Sequence, residues 1–192
     1  SLALLVPLSV VMLVVAGLVL ILQGRPILFV QWRMNTPERA FPLIKFRTMT
    51  DAPSDFCVTG ADQHWRITRL GHFLRRTRID ELPQLFNILR GHMSFVGPRP
   101  PLREYVERFP DLYARVLESR PGVTGLATLV YHRHEERLLA RCATPQETDA
   151  VYARSCVPRK ARLDLIYQRQ RNVCFDLRLM LYTLGLILRR PS

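Results

Sequence analysis

The sequence predicts a small, helix-rich α/β fold that begins with a membrane-embedded helix and carries amphipathic helices on the bilayer surface. Three observations lead to this prediction. The first 24 of the 192 residues contain no charged side chain and no histidine. All of the formal net charge of +12 therefore lies on residues 25–192. In that part, apolar side chains recur mostly at helical spacing, with only short strand-like runs between them.

The N-terminal segment is long enough to enter a bilayer. Leu2 to Leu22 is a run of 21 residues without a charge, and a helix of that length is roughly 30 Å long. Pro7 removes one backbone donor and is expected to break the helix, and the freed carbonyl then needs a partner in protein or near the interface. A re-entrant helix and a spanning helix both fit this pattern. We therefore predict a membrane-embedded helix over residues 1–24, broken near Pro7.

Basic residues follow this segment directly. Five of them precede residue 48, opposed by a single glutamate: Arg25, Arg33, Arg39, Lys45 and Arg47. By the positive-inside rule they place the following domain, residues 25–192, at the cytoplasmic face of a membrane. A signal peptide fits less well, because no basic segment precedes the apolar run and no small-residue cleavage site follows it. A buried core helix also fits less well, because such helices rarely stay uncharged for so long.

The positive charge indicates a polyanionic partner, which could be nucleic acid, anionic lipid or a phosphorylated substrate. Aromatic residues do not interleave with the basic clusters and no nucleic-acid-binding motif is present, which argues against nucleic acid. The sequence also lacks the P-loop, the dinucleotide-binding fingerprint and the serine elbow of hydrolases. Four widely separated cysteines indicate neither a disulfide framework nor a zinc ribbon: Cys57, Cys142, Cys156 and Cys174.

Short strand-like runs and helical spacing alternate along the rest of the chain. Residues 27–30 and 41–46 are predicted as strands, and residues 50–64 as a polar loop. Helices are predicted over residues 66–78, 82–89, 102–118 and 132–170. Gly91 is placed to end the second of these helices. The apolar run 175–188 is too short to span a bilayer comfortably, and it predicts an amphipathic interfacial helix or, alternatively, a core helix.

Asp80 and Glu81 form an acidic pair among arginines. The arginines close to them in sequence are Arg69, Arg75, Arg76, Arg78 and Arg90. Successive side chains of a helix point about 100° apart, so the two carboxylates would reach one metal ion or one substrate from different sides. Mg²⁺ prefers carboxylate oxygens and usually sits with substrate phosphates. A solvated acidic pair that neutralises the nearby arginines is the alternative.

Several basic residues have the setting of a phosphate site. Arg99 lies between two prolines and Arg120 precedes Pro-Gly, so each guanidinium loses little entropy when it grips a phosphate. Each alone fits a structural role equally well, but together with Lys45 and Arg47 they describe a site for a diphosphate. Residues 132–136, His-Arg-His-Glu-Glu, are a weaker metal candidate, because side chains two positions apart do not share a helix face.

Six ordered blocks, spread over nearly the whole chain, carry a more specific signal. They are GRPILFVQWR at 24–33, KFRTM at 45–49, RLG at 69–71, DELPQLFN at 80–87, GHMSFVGPRP at 91–100 and RPGVTGLA at 120–127. Together they resemble the bacterial sugar transferase family, the monotopic phosphoglycosyl transferases that start glycan assembly on a polyprenyl carrier. The resemblance favours a re-entrant membrane helix broken at a proline, and Pro7 falls at the matching place.

The resemblance implies a covalent mechanism. Asp80 would attack the β-phosphate of a UDP-sugar, release UMP and carry the phosphosugar until polyprenyl (undecaprenyl) phosphate accepts it, which predicts ping-pong kinetics. Asp80 and Glu81 would bind Mg²⁺, and Glu81 would assist the acceptor. Lys45, Arg75, Arg99 and Arg120 match basic positions that contact phosphate or shape the site in the family, and with Arg47 from the residue pattern they are the predicted phosphate-binding residues. The resemblance assigns the shaping of the site to Pro98, Pro100, Pro121 and Gly122.

The resemblance also implies partners and a location. The expected partners are a UDP-sugar donor, polyprenyl phosphate and membrane lipid, without nucleic acid, and a homodimer is compatible with the sequence. The expected location is the bacterial inner membrane, with the catalytic domain facing the cytoplasm and serving exopolysaccharide, capsule, O-antigen or glycoprotein glycan synthesis. Val6 and Thr128 depart from the family pattern, which often has serine and glutamine there. Because Thr128 opens a segment that is expected to shape the sugar pocket, the sequence does not predict which sugar is transferred.

Overall fold

The computed structural model of the chain describes residues 2–50 and 66–189. Its helices are α1 (Leu2–Gln23), α2 (Arg69–Thr77), α3 (Gln84–Leu89), α4 (Arg103–Arg108), α5 (Pro110–Val116), α6 (Leu126–Leu139), α7 (Pro145–Val151), α8 (Val157–Gln170) and α9 (Val173–Arg189). Its strands are β1 (Leu28–Met34), β2 (Ala40–Phe46), β3 (Ser94–Val96) and β4 (Gly122–Thr124), and it has a 3₁₀ turn at Ile79–Glu81 and a π-helical turn at Tyr152–Cys156. Many helices with few, short strands confirm the predicted helix-rich α/β class. The loop predicted over residues 50–64 lies, apart from Thr50, outside the described residues.

Helix α1 packs one face onto the domain and exposes the other. Met12, Val15 and Val19 are buried in a cluster with Phe46 and Leu74. The apolar residues exposed along the rest of the helix include Val10, Leu13, Val14, Ile21 and Leu22. The first helix is therefore attached to the domain through contacts with the end of β2 and with α2.

Pro7 does not end α1, because helical structure continues on both sides of it. A proline removes the hydrogen bond of only one amide, and the turns that follow keep theirs. The break predicted near Pro7 is thus not seen, while a kink there stays a prediction. In the described stretches, no helix combines the length and the apolar character that crossing a membrane requires. The embedding of residues 1–24 in a membrane is therefore not confirmed and stays a prediction.

Strands β1 and β2 form an antiparallel hairpin that pairs along its whole length. This confirms the two predicted strand runs and extends the first of them to Met34. Successive side chains of a strand point to opposite faces, and Phe41 and Leu43 point into a buried cluster that also contains Met93. Lys45 on β2 and Arg33 on β1, which pairs with Phe41, belong to the same face of the hairpin and contribute to the site described below.

Asn87 fixes β2 in place. It is fully buried on α3, where its Nδ2 donates to the carbonyl oxygen of Pro42 (2.7 Å) and its Oδ1 accepts from the amide of Ile44 (3.1 Å). One side-chain amide thus satisfies two backbone groups of β2, as a neighbouring strand would. The contact ties the segment that follows Asp80 to the strand that carries Lys45.

Strands β3 and β4 run parallel at very close range. Ser94 pairs with Gly122 and Val96 pairs with Thr124. Gly122 has no room for a side chain, because a Cβ there would lie 2.1 Å from the amide nitrogen of Gly97. The backbones on either side of this contact are therefore packed directly against each other, and a proline-containing segment follows β3 and precedes β4.

The helices predicted over residues 102–118 and 132–170 are each interrupted. Phe109 separates α4 from α5, because Pro110 has no amide hydrogen and restricts the residue before it. The second stretch comprises most of α6, all of α7 and α8, and the π-helical turn that precedes α8. Helix α9 buries Leu179, and it exposes the apolar residues Val173, Leu177, Leu181, Tyr182 and Leu184. This pattern agrees with the predicted amphipathic helix.

We predict that Asn87→Ala lowers the free energy of unfolding by about 2–4 kcal/mol, because two buried backbone groups lose their partner. Denaturant titration of the wild type and the variant measures the change. Asn172→Ala is the matched control, since that amide also bonds two backbone groups, accepting from the amide of Phe175 and donating to the carbonyl oxygen of Gln170, but is exposed to solvent, and loss of such a cap costs about 1 kcal/mol. Equal losses in the two variants would contradict the bridging role of Asn87.

Candidate active site

Asp80 and Glu81 lie in the 3₁₀ turn between α2 and α3. The turn is entered through Arg78, whose backbone has a left-handed conformation with φ of 56° that non-glycine residues rarely adopt. With three residues per turn, adjacent side chains of a 3₁₀ helix point about 120° apart. The two carboxylates therefore face different surroundings.

Asp80 is buried, with 7% of its surface exposed. Within residues 2–50 and 66–189, its carboxylate makes no hydrogen bond and no ion pair. Burial and the charge of Glu81 raise the pKa of Asp80 to about 6, against the opposing effect of Lys45, Arg75 and Arg99. A buried carboxylate that is surrounded by cations, yet bonded to none of them, has its oxygens available for a substrate.

Glu81 is held by two arginines. Nη1 of Arg78 lies 3.0 Å from Oε2 of Glu81, and Nη1 of Arg99 lies 3.4 Å from Oε1. Burial acts to raise the pKa of Glu81, but the charges of Arg99 and Arg78 outweigh it and the pKa is below its ordinary value. Adjacent carboxyl groups are thus shifted in opposite directions, a pattern typical of catalytic pairs with different roles.

Lys45 reaches the acidic pair from β2. Its Nζ lies 5.1 Å from the centre of the Phe29 ring. Burial and the positive charges of neighbouring arginines, of which Arg99 and Arg75 have the largest effect, lower the pKa of Lys45 to about 8. Such mutual repulsion between buried cations favours the binding of an anion, because an anion would relieve it.

Arg75 is oriented by Thr48, which lies on the chain segment after β2. Its Nε donates to the hydroxyl oxygen of Thr48 at 2.9 Å. The close approach depends on Gly71, since a Cβ on this α2 residue would lie 2.0 Å from the carbonyl oxygen of Thr48. The predicted phosphate-binding residue Arg75 therefore lies in the cluster around Asp80, with its guanidinium fixed by packing that requires a glycine.

Arg99 projects from the rigid segment that follows β3. Its side chain is 44% exposed and reaches inward to Glu81. The residues predicted to shape the site are all buried beneath it: Pro98, Pro100, Pro121 and Gly122. The amide of Gly122 donates to the carbonyl oxygen of Pro98 at 2.9 Å. These contacts fix the backbone of Arg99, as the sequence predicted.

Arg120 lies beside the close backbone contact between Gly97 and Gly122. Its carbonyl oxygen would be 2.3 Å from a Cβ at Gly97, so the two backbones touch directly. Its guanidinium is exposed and makes no hydrogen bond or ion pair with the described part of the chain. Arg120 thus takes no part in the contacts of Glu81, and its binding of phosphate stays a prediction.

Arg47 has a different role from the predicted phosphate contact. Its buried guanidinium donates to the carbonyl oxygens of Gln23, of Gly24 at 2.9 Å and of Arg25 at 3.2 Å. These carbonyls lie at the C-terminal end of α1, where unpaired carbonyl groups and the helix dipole both favour a cation. We therefore correct the prediction: Arg47 anchors α1 to the end of β2.

A small pocket lies beside Lys45 and Arg99. It is lined by Arg33, Leu43, Lys45, Gln84, Arg99, Pro100, Gly122 and Val123. Arg33 was not among the predicted site residues, although Gln31 and Arg33 are two apart on a strand and so share a face. Arg33 donates to Oε1 of Gln31 at 2.7 Å and to the carbonyl oxygen of Pro100 at 3.3 Å. Burial and the charge of Arg99 lower the pKa of Arg33 to about 10.

In the described stretches, no group of three or more histidine, cysteine, aspartate or glutamate side chains could hold a metal ion. This includes residues 132–136, where His132 lies 3.2 Å from Glu136 and Glu135 pairs with a lysine. The weaker metal candidate is therefore not supported. Asp80 and Glu81 offer two carboxylates, and Mg²⁺ needs only one or two when substrate phosphates complete its coordination. The donor chemistry of this pair therefore fits Mg²⁺.

Comparison with known proteins agrees with this geometry. The model of the bacterial sugar transferase family matches residues 1–190. The chain belongs to the bacterial sugar transferase family. The match includes the acidic pair, the basic residues around it and the glycine and proline segments that support them.

Three relatives illustrate the similarity. The chain is 40% identical over 121 residues to an uncharacterized sugar transferase of Bacillus subtilis, EpsL, covering 63% of this chain and 59% of that protein. It is 38% identical over 129 residues to the UDP-N-acetylgalactosamine-undecaprenyl-phosphate N-acetylgalactosaminephosphotransferase of Aeromonas hydrophila, covering 64% and 30%. It is 37% identical over 154 residues to the UDP-glucose:undecaprenyl-phosphate glucose-1-phosphate transferase of Klebsiella pneumoniae, covering 78% and 33%. The matches span less than two thirds of each of these relatives.

We predict that Asp80→Asn stabilises the protein at pH 8. The pKa of Asp80 is about 6 in the fold against an ordinary value of 3.8, so ionisation of this residue costs stability as the pH rises from about 4 to 6. At about 1.4 kcal/mol per pKa unit, the variant should gain up to about 2–3 kcal/mol at pH 8 and nothing near pH 4. Unfolding of the wild type and the variant at both pH values measures the difference.

Glu81→Gln is the matched neighbouring variant, with the opposite expected sign. The pKa of Glu81 is lowered in the fold, so its ionised form contributes stability that is present at pH 8 and lost as the pH falls through that lowered pKa. The glutamine variant should therefore be less stable than the wild type at pH 8. A shift of both variants in the same direction at pH 8 would contradict the assignment of opposite environments.

Proposed function

We propose that this chain carries the catalytic domain of a phosphoglycosyl transferase, which moves a sugar 1-phosphate from a UDP-sugar to polyprenyl phosphate and releases UMP. The observation that carries the proposal is the buried Asp80 carboxylate, bonded to no described side chain and surrounded by Lys45, Arg75 and Arg99. The family match and two relatives named for undecaprenyl-phosphate sugar phosphotransfer support it. The product would begin a glycan of the exopolysaccharide, capsule, O-antigen or glycoprotein class.

In the first displacement, a carboxylate oxygen of Asp80 attacks the β-phosphorus of the donor. The bond from that phosphorus to the bridging oxygen breaks, and the oxygen leaves with the electron pair as part of UMP. Negative charge builds on the phosphate oxygens, and the fixed cations Lys45, Arg75 and Arg99 stabilise it without reorganising. Because the pKa of Lys45 is about 8, this residue is mostly protonated at neutral pH.

In the second displacement, an oxygen of polyprenyl phosphate attacks the phosphorus that Asp80 carries. The bond between that phosphorus and the Asp80 oxygen breaks, which yields polyprenyl-diphospho-sugar and restores the carboxylate. Glu81 remains ionised through its contacts with Arg78 and Arg99. It thereby holds the Arg99 guanidinium beside the reacting phosphate in both steps.

Asp80 and Glu81 are the residues that would hold Mg²⁺ together with the diphosphate of the donor. When bound, the ion supplies additional positive charge to the diphosphate oxygens. Each oxygen of Glu81 accepts one guanidinium hydrogen bond and keeps a further lone pair, so ion pairing and metal binding are compatible at this carboxylate. The negative charge of the acidic pair thus offsets the positive charge that a bound Mg²⁺ would add to the site.

A membrane location follows from the acceptor, whose tail lies in lipid while its phosphate lies at the surface. The exposed apolar residues of α1 and α9 and the 65% exposed Trp32 on β1 support contact with lipid. We place the domain at the cytoplasmic face of the bacterial inner membrane, where UDP-sugars are found.

We predict that the wild type, held in detergent or nanodiscs with Mg²⁺ and no acceptor, releases about one UMP per enzyme from its preferred donor. UDP-glucose, UDP-galactose, UDP-N-acetylglucosamine and UDP-N-acetylgalactosamine form the panel. Mass spectrometry should find the sugar phosphate on the peptide that contains Asp80. Asp80→Asn should lose the burst and reduce turnover with acceptor about 1000-fold or more, because the nucleophile is removed.

Asp111→Asn is the control for the chemical change itself, since Asp111 is exposed in the first turn of α5. It should release UMP at the rate of the wild type. Chelation of Mg²⁺ should suppress UMP release in the wild type and in Asp111→Asn. A normal burst in the folded Asp80→Asn variant would show that Asp80 is not the nucleophile.

A further inference from the structure

Gln84, the first residue of α3, is a buried polar residue that the mechanism above does not use. Only 3% of its surface is exposed. Within residues 2–50 and 66–189, its side-chain amide makes no hydrogen bond. Buried amides normally have hydrogen-bond partners, because an unpaired polar group in the interior of a protein costs stability. The unpaired amide of Gln84 therefore indicates a bound partner from outside the chain.

The pocket beside the acidic turn is where such a partner can bind. Gln84 lines this pocket together with Arg33, Lys45 and Arg99. Two contacts place the pocket next to the acidic pair. Nη1 of Arg99 lies 3.4 Å from Oε1 of Glu81, and Gln84 follows Glu81 on the chain by three positions. A ligand in the pocket would therefore lie beside the carboxylates of the acidic turn.

The charge of the pocket favours an anion. Three of the described residues that line it are cationic, and none of them is acidic. The remaining lining residues, apart from Gln84, are apolar or glycine: Leu43, Pro100, Gly122 and Val123. Of the three cations, only Arg99 has an acidic partner among the described residues, namely Glu81. Neighbouring cations repel one another, so an anion bound between them is stabilised by all three.

Arg33 is already oriented and keeps free donors. Its Nε and Nη2 donate to Oε1 of Gln31 at 3.2 Å and 2.7 Å, and its Nη1 donates to the carbonyl oxygen of Pro100 at 3.3 Å. A guanidinium has five N–H groups, so one on Nη1 and one on Nη2 have no acceptor in the described part of the chain. Because these bonds fix the group, it loses little entropy when it binds a phosphate.

We propose that Gln84 and Arg33 bind a phosphate group of the substrates in this pocket. The inference rests on the proposed function, in which Lys45 and Arg99 already contact phosphate oxygens. Nε2 of Gln84 donates a hydrogen bond to one phosphate oxygen, and the free N–H groups of Arg33 donate to others. Binding thereby satisfies the buried amide and relieves the repulsion between the cations.

Two phosphates of the proposed reaction have the chemistry that the pocket recognises. In an in-line displacement, the attacking and the leaving oxygen lie on opposite sides of the phosphorus. The oxygen of UMP therefore leaves on the side opposite Asp80, and the oxygen of polyprenyl phosphate enters from that same side in the second step. One pocket beside the acidic turn can thus hold the phosphate of UMP and then the phosphate of the acceptor.

Two variants separate phosphate binding from folding. Gln84→Met keeps the size of the side chain and removes the amide, so the midpoint of thermal unfolding without ligand should stay the same or rise. Gln84→Glu keeps the shape and places a negative charge where the phosphate binds. The same two substitutions at Gln146 are the matched controls, since this residue is exposed on α7, makes no hydrogen bond through its side chain in the described stretches and does not line the pocket.

The first measurement uses inorganic phosphate as the probe, without Mg²⁺ and against sodium chloride of equal ionic strength. Phosphate that binds the folded protein raises the midpoint of thermal unfolding, and we expect this rise in the wild type and in both Gln146 variants. Loss of a hydrogen bond to a charged group should weaken phosphate binding about 10-fold in Gln84→Met, and Gln84→Glu should abolish the rise. Equal rises in all five proteins, or no rise in the wild type, would overturn the inference.

Two further measurements distinguish the source of the phosphate. Calorimetry gives the affinity for UMP, and the rate of UMP release against acceptor concentration gives KM for polyprenyl phosphate. Weaker UMP binding in Gln84→Met assigns the pocket to the donor, a higher KM assigns it to the acceptor, and both changes together assign it to each in turn. If neither value changes, or if Gln84→Met lowers the midpoint without ligand, Gln84 is structural and the inference is wrong.

Failure of this inference is distinguishable from failure of the proposed function. The shift with inorganic phosphate requires no turnover, so it tests the pocket even if no donor reacts. Absence of UMP release by the wild type with every UDP-sugar would overturn the proposed function, and with it the assignment of the phosphate to these substrates. Normal UMP release together with unchanged phosphate binding in both Gln84 variants would overturn this inference alone.

Discussion

The two carboxylates of the acidic pair differ in their contacts with the surrounding cationic side chains, and the chemistry of the site depends on that difference. Glu81 takes the direct contacts of Arg78 and Arg99, so its charge is largely neutralised. Asp80 is buried among the remaining cations and is bonded to no described side chain. Burial without a partner destabilises an ionised carboxylate and leaves its oxygens open. The fold thus spends stability to keep a reactive group available, as active sites commonly do.

This difference between Asp80 and Glu81 is maintained by close contacts between segments far apart in sequence. Gly122 against Gly97 fixes the backbone of Arg99, and Gly71 lets Arg75 reach the same region. Asn87 joins the acidic turn to the strand that carries Lys45. A side chain added at Gly122 or at Gly71, or removal of the Asn87 side chain, would displace a charge that the site depends on. The glycine, proline and asparagine residues of the family blocks therefore position the backbone of the site, while the charged residues make its electrostatic contacts.

Much of this arrangement could be predicted from the sequence, because the signals are local. Helical spacing and short apolar runs predicted the main elements, and Gly91, with φ of 75°, ends α3 as predicted. The role of Arg47 could not be predicted, since no local pattern shows that the end of α1 packs on the end of β2. Arg33 was missed for the same reason, because its distance to Arg99 depends on a contact across the fold. The interruption at Phe109 did have a local signal, the following proline, which helical spacing alone ignored.

Direct titration of the two carboxyl groups tests the central claim. Carbon-detected NMR of aspartate- and glutamate-labelled protein, with Asp80→Asn and Glu81→Gln for assignment, follows each group against pH. The account predicts a midpoint near 6 for Asp80 and a midpoint below the ordinary glutamate value of 4.5 for Glu81. A midpoint for Asp80 at or below 3.8, the ordinary aspartate value, would contradict it. That result would mean that Asp80 is paired in the folded protein and is not the open, buried carboxylate on which the mechanism depends.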